Sequence, residues 1–173
     1  MFSKGDLIVY GKDGVCRVED IGVPDYVQDP EHSKQYYKLV PIYSTGYIYI
    51  PVDTTVAMRP VLTRKEAETL IECIPNIEEA DLSGMDTRTL TETYKGALAK
   101  QDCECLIKLI KTVQAKALAA ENGEGRRPGK TDKEYSKRAQ ELLYGELAVA
   151  LGIEPGEVHG YISSRLQPAA ANA

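Results

Sequence analysis

Residues Gly5–Ile21 read GDLIVYGKDGVCRVEDI. Two short apolar runs, Leu7–Tyr10 and Val15–Ile21, flank the tetrapeptide Gly11-Lys12-Asp13-Gly14. Runs rich in Val, Ile and Tyr with Gly and Asp between them predict a β-hairpin. The chain continues in short extended runs as far as residue 60, so this hairpin sets the class of the first domain.

Pro24–Lys34 (PDYVQDPEHSK) is polar and turn-rich and reads as a loop, with His32 inside it. Tyr36–Ile42 is the next strand, and Ser44-Thr45-Gly46 is a turn. Tyr47-Ile48-Tyr49-Ile50 then alternates strictly, with Ile48, Ile50 and Val52 on one face and Tyr47 and Tyr49 on the other. Val56–Val61 supplies a last short strand. Five short strands with close turns predict a small closed or half-closed barrel. The pattern V-Y-x-x-x-G-V-x-x-V, formed by Val9, Tyr10, Gly14, Val15 and Val18, resembles the opening of Tudor/SH3-like barrels. A tyrosine stripe near a barrel edge can stack on a partner, and an edge strand can accept a partner strand. Cross-strand packing of the rings is the simpler alternative.

The period changes at Thr63. Thr63-x-x-Glu66 is a capping box, and Ala67, Leu70, Ile71 and Ile74 follow at helical spacing until Pro75. A second helix starts at an Asp86 cap, with Leu90, Tyr94, Ala97 and Leu98 on one face. A third runs from about Asp102 to Glu121 and ends at Asn122-Gly123. Thr131-x-x-Glu134 reads as a second capping box opening a long helix to about Leu151. Gly152 closes that helix, and Pro155 opens a last one that stops before Pro168. The predicted class is α+β: a five-stranded β barrel over residues 1–60, an all-α domain of about five helices over 61–168, and a disordered tail over 169–173.

The 173 residues carry a formal net charge of −5, with 43% hydrophobic and 27% charged side chains, ordinary globular values. No apolar run approaches the roughly 18 residues of a membrane span, and MFSKGD lacks the layout of a secretory leader. Cys16, Cys73, Cys103 and Cys105 have no framework spacing and read as free thiols of a reducing cytoplasm. The charge is uneven. Residues 61–94 have a net charge of −5, residues 95–138 of +5, and residues 139–173 of −3. A basic block inside an acidic chain points to an anionic partner.

Within that block Arg126, Arg127 and Lys130 crowd one loop, and Lys133 and Lys137 share a helix face with Arg138 alongside. Such cations give sequence-blind, salt-sensitive contacts to phosphate; a solvated helix face is the alternative. Gly123–Thr131, GEGRRPGKT, resembles a phosphate-binding loop, but Glu124 stands where that motif needs its first Gly, and a helix precedes it instead of a strand. Cys103-Glu104-Cys105 has neither a C-x-x-C partner nor a nearby His, so no metal site is expected. His32 and His159 have no nucleophile context. Ala148, Gly152 and Val158 have helix-turn-helix spacing, but Glu154 and Glu157 would face phosphate, so a plain helical hairpin is preferred.

Three pieces stand in order over about residues 3–152: Lys4-Gly5-Asp6 with Val9-Tyr10, Gly14 and Tyr47–Pro51; Tyr94-Lys95-x-x-Leu98-x-Lys100; and Ala139-x-x-Leu142-Leu143-x-Gly145-Glu146-Leu147-Ala148. Together they resemble the CarD/CdnL family of transcription regulators, whose first domain is similar to the polymerase-interacting domain of the transcription-repair coupling factor. The resemblance implies a barrel that binds the β subunit of bacterial RNA polymerase by strand pairing. It also implies a helical domain on promoter DNA at the upstream edge of the melted bubble. The implied outcome is a changed open-complex stability without catalysis.

The expected polymerase-binding residues are Val23, Pro24, Tyr47, Tyr49 and Pro51. Pro24 and Tyr49 fall where the family often places contacting side chains, commonly basic ones, so the contact here is chemically different. The expected DNA-binding residues are Leu90, Tyr94, Lys95, Arg126, Arg127, Lys130, Lys133, Lys137 and Arg138, acting on backbone and minor groove. The family's well-known members insert a Trp four residues before the Tyr-Lys pair. This chain has no Trp, and Leu90 stands there as an apolar wedge or a core residue. No cofactor, metal or membrane is expected, and a cytoplasmic monomer is. The rivals are a helix-turn-helix DNA-binding protein acting independently of polymerase, and a nucleotide-binding enzyme built on Gly129-Lys130-Thr131.

Overall fold

The structure, a computed structural model, describes residues 1–28 and 34–167. The expected tail and His32 lie outside the described residues. The chain divides into two compact units, Met1–Val61 and Leu62–Ala173.

The first unit is a five-stranded antiparallel sheet. Strands β1 (Leu7–Tyr10), β2 (Gly14–Gly22), β3 (Tyr36–Pro41), β4 (Ile48–Pro51) and β5 (Met58–Pro60) lie in the order β4-β3-β2-β1-β5. The turn between β1 and β2 is a single 3-10 turn, Gly11–Asp13, that hands over to Gly14 at φ 72°. A side chain there would be strained, so the turn requires that glycine. Ile8 pairs with Cys16, Cys16 with Pro41 and Val18 with Leu39 across three strands. Ile8, Cys16, Val18 and Leu39 are fully buried, with Tyr37 and Ile50 beside them. Burying each Val, Ile or Leu contributes about 1.5–3 kcal/mol. The register shifts between Val18 and Asp20, a bulge that bends β2. The last strand is shorter than the predicted 56–61 run.

The second unit holds five helices among the described residues: α1 (Arg64–Cys73), α2 (Thr87–Ala99), α3 (Cys103–Glu121), α4 (Lys130–Leu151) and α5 (Pro155–Leu166). The first three start where the sequence reading puts them. Thr63 and Glu66 form a reciprocal capping box, and Asp86 and Asp102 accept from Thr89 N and Glu104 N. The start of α4 corrects the sequence reading. Gly129, not Thr131, is the N-cap, because the Asp132 carboxylate accepts the Gly129 N–H at 2.8 Å. Gly152 ends α4 in the left-handed conformation at φ 70°, with Ile153 N bonded back to Ala148 O. Ala67, Ile71, Leu106, Ile110, Ala139, Leu143, Leu147 and Val158 form the shared core. The architecture is α+β, a barrel-like sheet domain followed by a helical domain.

Candidate functional site

An edge strand is a binding element only if its outward backbone groups are free. Val52 N–H donates to Gln35 O at 3.0 Å, and Ile50 and Ile48 stand opposite Tyr37 and Leu39. With the alternation of an antiparallel ladder, the backbone groups of Ile50 and Ile48 turn toward β3 and those of Tyr49 turn outward. Pro51, which has no N–H, also falls on the outward side, where a strand accommodates it without losing a ladder bond. Its carbonyl accepts from Thr54 N at 3.0 Å. The open run of β4 is therefore short and centred on Tyr49.

The opposite edge is blunted at Pro60. Val61 N–H donates to Leu7 O, and Arg59 stands opposite Val9, so Pro60 faces outward on β5. Pro60 offers no donor, and its carbonyl accepts from the Arg59 guanidinium at 3.2 Å. Met58 also turns its backbone outward on β5, but β4 is the edge that pairs an outward backbone with exposed aromatic side chains.

Side chains on the outer face of β4 are aromatic and exposed. Tyr47 is 59% exposed and Tyr49 38%. Lys38, opposite Tyr49 in register, holds its ammonium 4.1 Å over the Tyr47 ring and 3.3 Å from Glu19. Tyr26 packs edge-on to Tyr49 at 5.5 Å between centroids and is 66% exposed. Pro24 is corrected: it is buried, and its carbonyl receives Val27 N–H in a tight turn, so its ring is not presented to a partner. That turn presents Tyr26 instead. Val23 and Pro51 are half-buried. Tyr26 and Lys38 were missed by the sequence reading; a lone aromatic in the polar stretch Pro24–Lys34 is the signal that could have found Tyr26.

In the second unit the basic residues fall on the α3–α4 loop and the first half of α4. Arg126, Arg127, Lys130, Lys133 and Lys137 are exposed. Lys130 lies 3.7 Å from Glu134, and half-buried Arg138 lies 3.4 Å from Glu141. Pairs this open are screened and weak. Among the described residues, Arg126, Arg127, Lys133 and Lys137 belong to no ion pair. Lys95 is exposed on α2.

One expected DNA contact is corrected by burial. Tyr94 is 2% exposed, and its hydroxyl donates to Asp132 at 2.6 Å. Its ring is core, so it does not reach a groove. Leu90 is half-buried and packs against the same core. Asp132, itself buried, also accepts from Lys116 Nζ and from Gly129 N, both at 2.8 Å. Burial pushes its pKa up, but the bonds from Lys116, Tyr94 and Gly129 outweigh that and hold it below the ordinary aspartate value.

The rival sites do not assemble. Lys130 and Thr131 follow a loop that leaves helix α3, so the strand a phosphate-binding loop needs is missing. Cys103 is buried and donates to Glu146 at 3.2 Å, and no group of metal-ligating residues occurs among the described residues. The α4–α5 hairpin buries Ala148, Leu151 and Val158. The lone arginine of α5, Arg165, is paired with Glu68, which also accepts from Tyr161 at 2.7 Å. A recognition helix whose lone arginine is paired with Glu68 and whose Glu154 and Glu157 are exposed is poorly suited to a major groove. No helix among the described residues is long and apolar enough to cross a membrane.

No curated protein matches the chain. Residues 2–62 match the family model of the CarD-like/TRCF RID domain, and that span covers all five strands from β1 to β5. The first domain is thus similar to the CarD-like/TRCF RID domain.

Proposed function

We propose that the chain is a non-catalytic transcription regulator that docks on the β subunit of RNA polymerase through the open edge of β4, contacts promoter DNA with the basic loop and first turns of α4, and thereby changes open-complex stability. The observation that carries the reading is the asymmetry of the sheet edges. One is blunted by Pro60 beside Met58, and the other is open around Tyr49 and rimmed by Tyr26 and Tyr47. The match of residues 2–62 to the CarD-like/TRCF RID domain supports the choice of partner. The unpaired Arg126, Arg127, Lys133 and Lys137 support a polyanion as the second partner. Polymerase contact is formed by Tyr49, Tyr47 and Tyr26 with Val23 and Pro51 at the margin. DNA contact is formed by the loop arginines with Lys130, Lys133 and Lys137, and with Lys95 on α2.

The test is the lifetime of a promoter open complex formed by holoenzyme, measured after competitor challenge with and without the full chain. The chain is expected to change that lifetime. Tyr49→Asp should abolish the effect, and Lys133→Glu with Lys137→Glu should reduce it while polymerase binding persists. An unchanged lifetime at saturating chain overturns the reading.

A further inference from the structure

The loop that carries Arg126 and Arg127 is tied at two points. At its start, Asn122 N and Gly123 N bond back to the last turn of α3, and Glu124 N bonds to Ala119 O at 2.8 Å. At its end, Gly129 N bonds to Asp132 Oδ2 at 2.8 Å. Between these points Gly125, Arg126 and Arg127 are exposed and Pro128 is half-buried. Gly123 and Gly125 both sit at positive φ, so the backbone here has little intrinsic stiffness. Whatever fixes the far end of the loop fixes where the two guanidinium groups stand.

Asp132 does this with unusual resources for a first-turn carboxylate. It is 2% exposed, and its three donors come from three other segments: Tyr94 on α2, Lys116 on α3, and the loop's own Gly129. The Tyr94 hydroxyl takes Oδ1, and Lys116 and Gly129 share Oδ2. The carboxylate is thus clamped to the helical core on one oxygen and holds the loop end on the other. Lys133 and Lys137 are carried by α4 itself and do not depend on the loop.

We propose that Asp132 is a positioning residue for the basic loop: clamped by Tyr94 and Lys116, it holds Gly129 and so sets the place of Arg126 and Arg127 for contact with nucleic-acid phosphate. This rests on the reading that the loop meets DNA backbone, and it adds a residue that touches no DNA itself.

The test uses the full chain and two readouts. Amide hydrogen exchange reports the anchor without any ligand. Asp132→Asn replaces the acceptor oxygen shared by Lys116 and Gly129 with a donor in one orientation and loses the charge in either. Exchange at the Gly129 amide, which alone in the loop is bonded to Asp132, should then rise on the order of tenfold, while amides of α1 and α5 stay as in the parent. No rise at the loop, or an equal rise throughout the helical unit, overturns the proposal. Titration with a random-sequence duplex supplies the second readout. Asp132→Asn should weaken binding on the order of fivefold. Adding Arg126→Ala with Arg127→Ala to it should then cost clearly less than the same pair costs in the parent. Additive losses overturn the proposal, because they mean that Asp132 does not act through the arginines. Parent affinity indifferent to the arginine pair overturns the phosphate reading, and exchange still decides the anchor. Should Asp132→Asn fail to fold, Lys116→Met removes one clamp and leaves Gly129 bonded. It should give a smaller rise in loop exchange, and no rise again counts against the anchor.

Discussion

Asp132 gathers hydrogen bonds from residues 38 and 16 positions away as well as from its own N-cap. Its pKa is lowered in the folded chain, so its contribution to stability is full above the unfolded aspartate value of about 3.9 and is lost as pH falls through the folded value. The parent should therefore lose stability more steeply than Asp132→Asn below about pH 4; thermal unfolding midpoints across that range check it. Equal acid limbs would remove the carboxylate from the account. The sequence reading did not single out Asp132, because nothing local reveals donors contributed by α2 and α3. The sequence put Tyr94 on the apolar face of α2, where its ring is core, and only the family resemblance made it a DNA contact. The cysteines were more legible. Cys16 is buried and its thiol is pushed up to about 12, chiefly by burial and then by Asp13, whereas Cys73 is exposed. A brief alkylation near neutral pH should label Cys73 first and leave Cys16 unmodified until the chain unfolds, as peptide mass spectrometry would show. Early labelling of Cys16 would mean that the barrel core opens readily.

The elements followed from pattern wherever a local rule was complete. Strict alternation in Tyr47–Ile50 gave β4 and its two faces, and the Thr63 capping box and Asp86 cap gave two helix starts, with the third placed near Asp102. Where a second acceptor competed, the pattern misled: α4 starts earlier than Thr131-x-x-Glu134 suggests because Asp132 takes the capping role. The bulge after Val18 and the packing of Tyr26 on Tyr49 depend on neighbours distant in sequence, so neither had a local signature. The edge reading makes a sharp prediction at Tyr49. Its N–H faces the open side, so Tyr49→Pro removes a docking donor without removing a β3–β4 bond. The melting temperature of the variant should stay within about 5 °C of the parent, while polymerase binding falls at least tenfold. Unfolding would show that Tyr49 N–H belongs to the ladder, and undiminished binding would move the interface elsewhere.

Taken whole, the chain separates its two tasks. An acidic molecule of net charge −5 concentrates a net +5 in residues 95–138, which lie in the helical unit, while the open sheet edge lies in the first. If Arg126, Arg127, Lys133 and Lys137 each meet a phosphate, the logarithm of duplex affinity should fall against the logarithm of salt with a slope of about −3.6. Removing the two arginines should cut that slope by roughly half; a slope near zero would leave the basic block a solvated surface. The central claim remains that the β4 edge is the docking element. It is tested most directly by titrating the full chain against the isolated polymerase β subunit, parent beside Tyr49→Asp. Saturable binding by the parent, weakened at least tenfold by the buried carboxylate that the variant would bring to the interface, is the predicted result. Equal binding by both chains, or none by the parent, would contradict it.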